Sequence, residues 1–179
     1  MKRRSILIVM VLVGTILGLN SCKKGENDPF VSLKSRDGRI MGIWKLTTSE
    51  SISTTTTVLD GTSLTSTTKR TFDGTKVNVT PGLGDSYSYS YSEKLTINED
   101  GSYSLETVND GDTDVTEGYW MWIDSDKNKL FILLDEQILY IDQLKNKEMV
   151  LKYEYSYKEA EGNDSETHTS TSTSTYTKE

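Results

Sequence analysis

The chain has 179 residues, 34% hydrophobic and 26% charged, with two prolines, one cysteine and one histidine. A single cysteine excludes an internal disulfide, and one cysteine with one histidine excludes a zinc site built from several such ligands. Twenty basic against 27 acidic side chains leave a net charge of −7, which argues against nucleic acid as a partner, because phosphate binding rests on basic patches.

The first element is MKRRSILIVMVLVGTILGLNSC. Lys2, Arg3 and Arg4 precede a largely apolar run from Ile6 to Leu19. As a helix that run reaches roughly 21 Å, short of the roughly 30 Å hydrocarbon core. It suits the core of a secretion signal better than a membrane span. Leu19-Asn20-Ser21-Cys22 resembles the lipobox of bacterial lipoproteins. Leu19, Ser21 and Cys22 fit that pattern, and Asn20 departs from it. The resemblance implies cleavage before Cys22, diacylglycerol on the sulfur and a third, palmitate-like acyl chain on the new amine. Each buried methylene contributes about 0.8 kcal/mol, so three chains make a lasting anchor. The implied location is the bacterial cell envelope, at the outer membrane, on its periplasmic or outward side. A plain secreted protein with a chance cysteine is the other reading.

Residues 22–39, CKKGENDPFVSLKSRDGR, are polar and read as a flexible tether. The expected organisation is a signal at 1–21, a tether at 22–39 and one domain at 40–179. Without Lys2, Arg3 and Arg4 the charge balance becomes −10, which disfavours adhesion to anionic lipid heads.

From residue 40 onward the period is two, broken by turn residues, which predicts strands. Nine runs stand out: Ile43 to Leu59, Thr62 to Phe72, Tyr87 to Ile97, Tyr103 to Val108, Val115 to Ile123, Leu130 to Leu134, Gln137 to Leu144, Glu148 to Tyr157 and Thr167 to Thr177. Asp60-Gly61, Asp73-Gly74 and Asn98 to Gly101 are turn signals. The pattern predicts an all-β, antiparallel up-and-down barrel of about eight to ten strands. Nine cannot close an antiparallel ring, so the last run is expected to lie outside it or a long run to break in two. Period-two spacing puts Trp44, Leu46 and Ile52 on one inward face. Tyr87, Tyr89, Tyr91, Leu95 and Ile97 share another, as do Trp120 with Trp122 and Met149, Leu151, Tyr153, Tyr155 and Tyr157.

Gly42-Ile43-Trp44 resembles the Gly-x-Trp signature of lipocalins, whose Trp plugs the closed end of the barrel. With "LTINEDGSYS", "EGYWMW" and "YIDQLKNKEMVLKY", the stretch 40–158 is similar to the lipocalin-like domains of bacterial envelope lipoproteins. The Thr-rich segment 53–71 and the tail 166–179 depart from that likeness.

No catalytic constellation emerges, and an enzyme is not expected. His168 lies in "ETHTSTSTS" and reads as an exposed spectator rather than the base of a triad. Asp110, Asp112 and Asp114 begin like a calcium loop, but Val115 and Met121 stand where an EF-hand needs Gly and Glu; Asp124, Asp126 and Asn128 fail at Lys129. Both read as Asx-rich turns, and no metal or cofactor is expected. Glu50 and Glu93 fall on inferred inward faces, where a facing pair would suit acid–base chemistry, unless a one-residue slip turns them outward.

Two functions stay open. In one, the barrel binds a small apolar or amphipathic ligand, with Trp44 on the floor, Tyr89, Tyr91, Tyr153 and Tyr155 on the walls and Trp120 beside them. In the other, the barrel is filled and the Thr/Ser strands 53–71 and 167–177 act as edges that pair with a protein partner. The threonines at odd positions 167–177 predict an ordered strand beside 149–157, within reach of the first hairpin.

Overall fold

A computed structural model describes residue 28 and residues 34–123, 131–134, 137–162 and 164–179. A five-residue helix, α1 (Arg36–Ile40), precedes ten strands: β1 (Gly42–Leu59), β2 (Thr62–Phe72), β3 (Lys76–Thr80), β4 (Tyr87–Ile97), β5 (Ser102–Asn109), β6 (Asp112–Tyr119), β7 (Phe131–Leu134), β8 (Gln137–Leu144), β9 (Glu148–Glu161) and β10 (Asp164–Lys178). They form one antiparallel sheet in the order β6-β5-β4-β3-β2-β1-β10-β9-β8-β7, and β4 also pairs with β1. That extra pairing, Gly42–Lys45 against Lys94–Ile97, closes β1 to β4 into a four-stranded ring. The sheet's end strands β6 and β7 do not pair among the described residues. An eight-to-ten-stranded closed barrel is therefore replaced by a small closed ring with strands continuing from it.

The alternation in β1 explains the branch. Its register against β10 slips between Leu46 and Thr48, leaving Thr47 as the extra residue of a β-bulge. The Thr47 hydroxyl donates to the Thr175 carbonyl at 2.9 Å. Before the bulge β1 pairs with β4; after it, from Ser49 on, β1 pairs with β2. The bulge also reverses the face that each later residue takes. Trp44 and Leu46 point inward and are buried, but Ile52 is 39% exposed and Glu50 points out to pair with Lys69 at 3.0 Å. The shared face expected for Trp44, Leu46 and Ile52 is overturned for Ile52, and so is the inward place of Glu50.

Below the bulge lies the base. Trp44, Leu46, Leu95, Ile97, Tyr103, Ile141, Leu144, Met149, Leu151 and Tyr176 form its core, and Ile40 of α1 closes it. The Trp44 indole N–H donates to the Ile40 carbonyl at 2.6 Å. Lys178 lies over the Trp44 ring at 4.9 Å and donates to the Arg39 carbonyl at 2.8 Å. Gly42, at φ 128°, leaves the space that the Lys178 side chain occupies. Within the segment read as a tether, the Asp28 side chain is fully buried, 3.1 Å from Arg36 and 2.8 Å from Arg39, and accepts from the Leu144 amide at 2.8 Å. Burial lowers the Arg36 pKa to about 10, against the opposing pull of Asp28.

Above the bulge, β2, β1, β10 and β9 run on as a four-stranded arm. β3 covers β2 only at Lys69–Phe72, and β8 covers β9 only as far as Lys152. The Asp60-Gly61 turn takes φ 49° and 79°, the left-handed pair that joins twisted strands with two residues. β10 is an ordered strand beside β9 and β1, as the threonine spacing predicts; it lies outside the four-stranded ring, as expected of the last run, and is internal to the sheet.

The strand β3 has no counterpart among the nine predicted runs. The run Val115 to Ile123 is displaced: β6 begins at Asp112 and ends at Tyr119, so Trp120 and Trp122 follow it. Asp110-Gly111 is a hairpin turn, with Asp110 accepting from the Ser90 amide and hydroxyl at 2.8 and 2.9 Å, in agreement with the Asx reading. Asp124, Asp126, Asn128 and Leu130 lie outside the described residues, as does Cys22.

Candidate binding surface

The inner face of the base continues upward onto the arm, and its chemistry changes at Glu93. The Tyr91 hydroxyl donates to one Glu93 oxygen at 2.7 Å and the Tyr176 hydroxyl donates to the other. Burial raises both phenols above their ordinary pKa, and the Glu93 charge adds to the shift. Glu93 thus faces inward as expected, but its partners are phenols. Glu50 lies on the opposite face, so no carboxylate pair forms.

Above Glu93 the inner face carries two tyrosine ladders. On β4, Tyr91 meets Phe72 edge-on at 5.7 Å, Tyr89 meets Tyr91 edge-on at 6.5 Å, and Tyr87 stacks on Tyr89 at 6.4 Å. On β9, Tyr153 stacks on Tyr155 at 6.3 Å and Tyr155 meets Tyr157 at 5.7 Å. Successive inward residues are two apart, so a Tyr-x-Tyr-x-Tyr run stacks its rings along one strand. Between the ladders, Ser49, Ser51 and Ser53 of β1 lie opposite Ser174, Ser172 and Ser170 of β10.

His168 joins the serine lane to the β9 ladder. Its Nε2 lies 3.4 Å from the Ser53 hydroxyl and its Nδ1 3.1 Å from the Thr55 hydroxyl. The rings of Tyr155 and Tyr157 are 6.3 and 5.6 Å away. The exposed-spectator expectation is corrected: the ring is half-buried and held on both nitrogens. The group at Nδ1 is a hydroxyl rather than a carboxylate, so a Ser-His-acid relay is not assembled here. Among the described residues no three His, Cys, Asp or Glu side chains gather as a metal site.

The outer face of the arm is threonine. Thr54 bonds Thr67 and Thr56 bonds Thr65 through their hydroxyls, each at 3.1 Å. A shallow groove of about 530 Å³ crosses this side near the bulge, with Thr48, Glu50, Thr71 and Thr173 on its walls.

The six candidate ligand residues do not meet in one pocket. Trp44 is fully buried and Trp120 is 9% exposed, its N–H donating to the Asn98 carbonyl at 3.0 Å. Tyr89 and Tyr91 lie on one ladder, Tyr153 and Tyr155 on the other, with β3, β2, β1 and β10 between them in the sheet. Sequence reasoning missed Ser53, Thr55 and His168 as parts of this surface, because it could not see the bulge that turns Ser53 and Thr55 inward. The Thr/Ser strands are edges only in part. β1 and β10 are internal, and the open sides belong to the distal halves of β2 and β9. Gly82 lies against the backbone of Thr67, where a Cβ would collide, so the loop after β3 lines part of the β2 side.

Among the described residues no helix is long and apolar enough to cross a membrane. No known protein family, curated protein or solved structure matches the chain.

Proposed function

We propose that the protein is a non-catalytic interaction module of the bacterial cell envelope, anchored by lipid at Cys22, that recognises a macromolecular partner through its arm. One observation carries this reading. The floor of the base is filled by Trp44, Leu95, Ile97, Met149 and Tyr176, while the β9 tyrosine ladder continues above it onto the open arm. Tyrosine offers large contact area at low conformational cost, and serine and threonine offer adaptable hydrogen bonds; the same pairing serves antibody loops. A small apolar ligand held in the barrel, as a lipocalin-like domain would hold one, has to displace the side chains of that floor.

The test is capture of envelope components by the immobilised protein. Tyr155→Ser and Tyr157→Ser, on a half-open surface, are expected to abolish capture while circular dichroism and thermal stability hold. Saturable one-to-one binding of a fatty acid, weakened by substitutions in the floor and not in the ladders, overturns the reading. The anchor is tested separately by intact mass: the mature chain is expected to start at an acylated Cys22, and Cys22→Ser to release it from membranes.

A further inference from the structure

The outer side of β9 beyond Lys152 is a run of strand backbone with no partner among the described residues. Glu154, Ser156 and Lys158 are exposed there, and Tyr155 is 47% exposed. An open edge of this kind accepts another strand. The sequence YEYSYKE from Tyr153 to Glu159 selects the strand that fits. When two copies pair antiparallel about Ser156, Glu154 of each lies opposite Lys158 of the other. Tyr155 lies opposite Tyr157 on the inner face, and Tyr153 opposite Glu159. Opposite charges facing each other across a strand pair stabilise it, and like charges destabilise it. Moving the two-fold centre to Tyr155 sets Lys152 against Lys158. Moving it to Glu154 or to Lys158 sets that residue against its own copy. Ser156 is the centre that matches both charges.

We propose that two copies of this chain associate through the outer edge of β9, antiparallel about Ser156, joining two four-stranded arms into one eight-stranded sheet. The contact is isologous and closes on itself, so it yields a dimer rather than a fibre. It also merges the two β9 tyrosine ladders into one inner surface. The pairing rests on the β9 backbone and charges and does not depend on what the tyrosine face binds.

Cysteine cross-linking reads the register directly. Opposed Cα atoms in an antiparallel pair are about 4.5 to 5.5 Å apart, inside the span that a disulfide bridges. In the full chain carrying Cys22→Ser and purified in mild detergent, Ser156→Cys is expected to form a covalent dimer on oxidation. Glu154→Cys alone and Lys158→Cys alone are expected not to cross-link, and their mixture to cross-link. Glu154→Lys sets two lysine pairs face to face and is expected to weaken the dimer by at least about tenfold. Adding Lys158→Glu restores it. All these residues are exposed, so the fold is expected to persist, and circular dichroism checks it. The proposal is overturned by sedimentation as a monomer at every concentration tested. It is equally overturned if Ser156→Cys does not cross-link, or if Glu154→Cys alone links as well as the mixture.

Discussion

The base and the arm are built from the same strands and held by different forces. In the base, β1 and β10 set Trp44, Leu46 and Tyr176 against Leu95, Met149 and Ile141, and apolar burial fixes which residue lies opposite which. In the arm the same two strands carry hydroxyls on both faces, so burial no longer distinguishes one register from the next. The arm takes its register from the base below, from the Asp60-Gly61 turn at its tip and from cross-strand bonds such as Asp60 N–H to Asp164 at 3.0 Å. A polar sheet can thus be ordered when its strands are already aligned elsewhere.

The largest expected contrast is between Trp44→Ala and Ser51→Ala. Trp44 is fully buried, and its truncation is expected to cost about 3 to 5 kcal/mol. Ser51 lies in the hydroxyl lane, and its change is expected to fall within about 0.5 kcal/mol. Denaturant titration of both compares base with arm; equal losses would erase the distinction. Asp28→Asn comes next. It leaves Arg36 and Arg39 buried without their carboxylate, a loss of the order of 3 to 5 kcal/mol. A midpoint unchanged from wild type would show that the pair does not pin the base.

The boundary between the regions is expected to be sensitive to alkali. Tyr91 and Tyr176 have hydroxyl pKa values raised by burial and by Glu93. The unfolded chain loses these protons near pH 10 while the folded chain keeps them. Their contribution is therefore complete below about pH 10 and is lost as pH rises through the folded values. Stability measured upward from pH 9 is expected to fall. Tyr176→Phe, which leaves a Glu93 oxygen short of a donor, is expected to cost about 1 to 3 kcal/mol at neutral pH and to flatten that fall. The smallest effect belongs to the outer arm, where Thr54→Ala removes a cross-strand hydroxyl pair for about 0.2 to 1 kcal/mol. A larger loss would mean that the arm is held more tightly than its polar faces suggest.

What was legible in the sequence follows the same division. Period-two spacing exposed the tyrosine ladders and the threonine tail, because stacking along a strand depends only on neighbours two apart. It misplaced Ile52 and Glu50, because the bulge at Thr47 depends on a register with β10 more than a hundred residues away. Lys76–Thr80 is short and lies between turns, so its pattern was too brief to stand out. Asp28 read as part of a polar linker, since its burial comes from Arg36, Arg39 and Leu144 together.

The buried Asp28 also sets a leash length. If Cys22 is fixed in a membrane, the chain between it and Asp28 reaches at most about 20 Å, whatever path it takes. The base is then held within one protein diameter of the lipid, and the Asp28 carboxylate is one point at which a pull on the anchor reaches the fold. Two guanidiniums and the Leu144 amide share that pull and pass it to the floor under Trp44. The arm lies on the far side of the bulge from that contact.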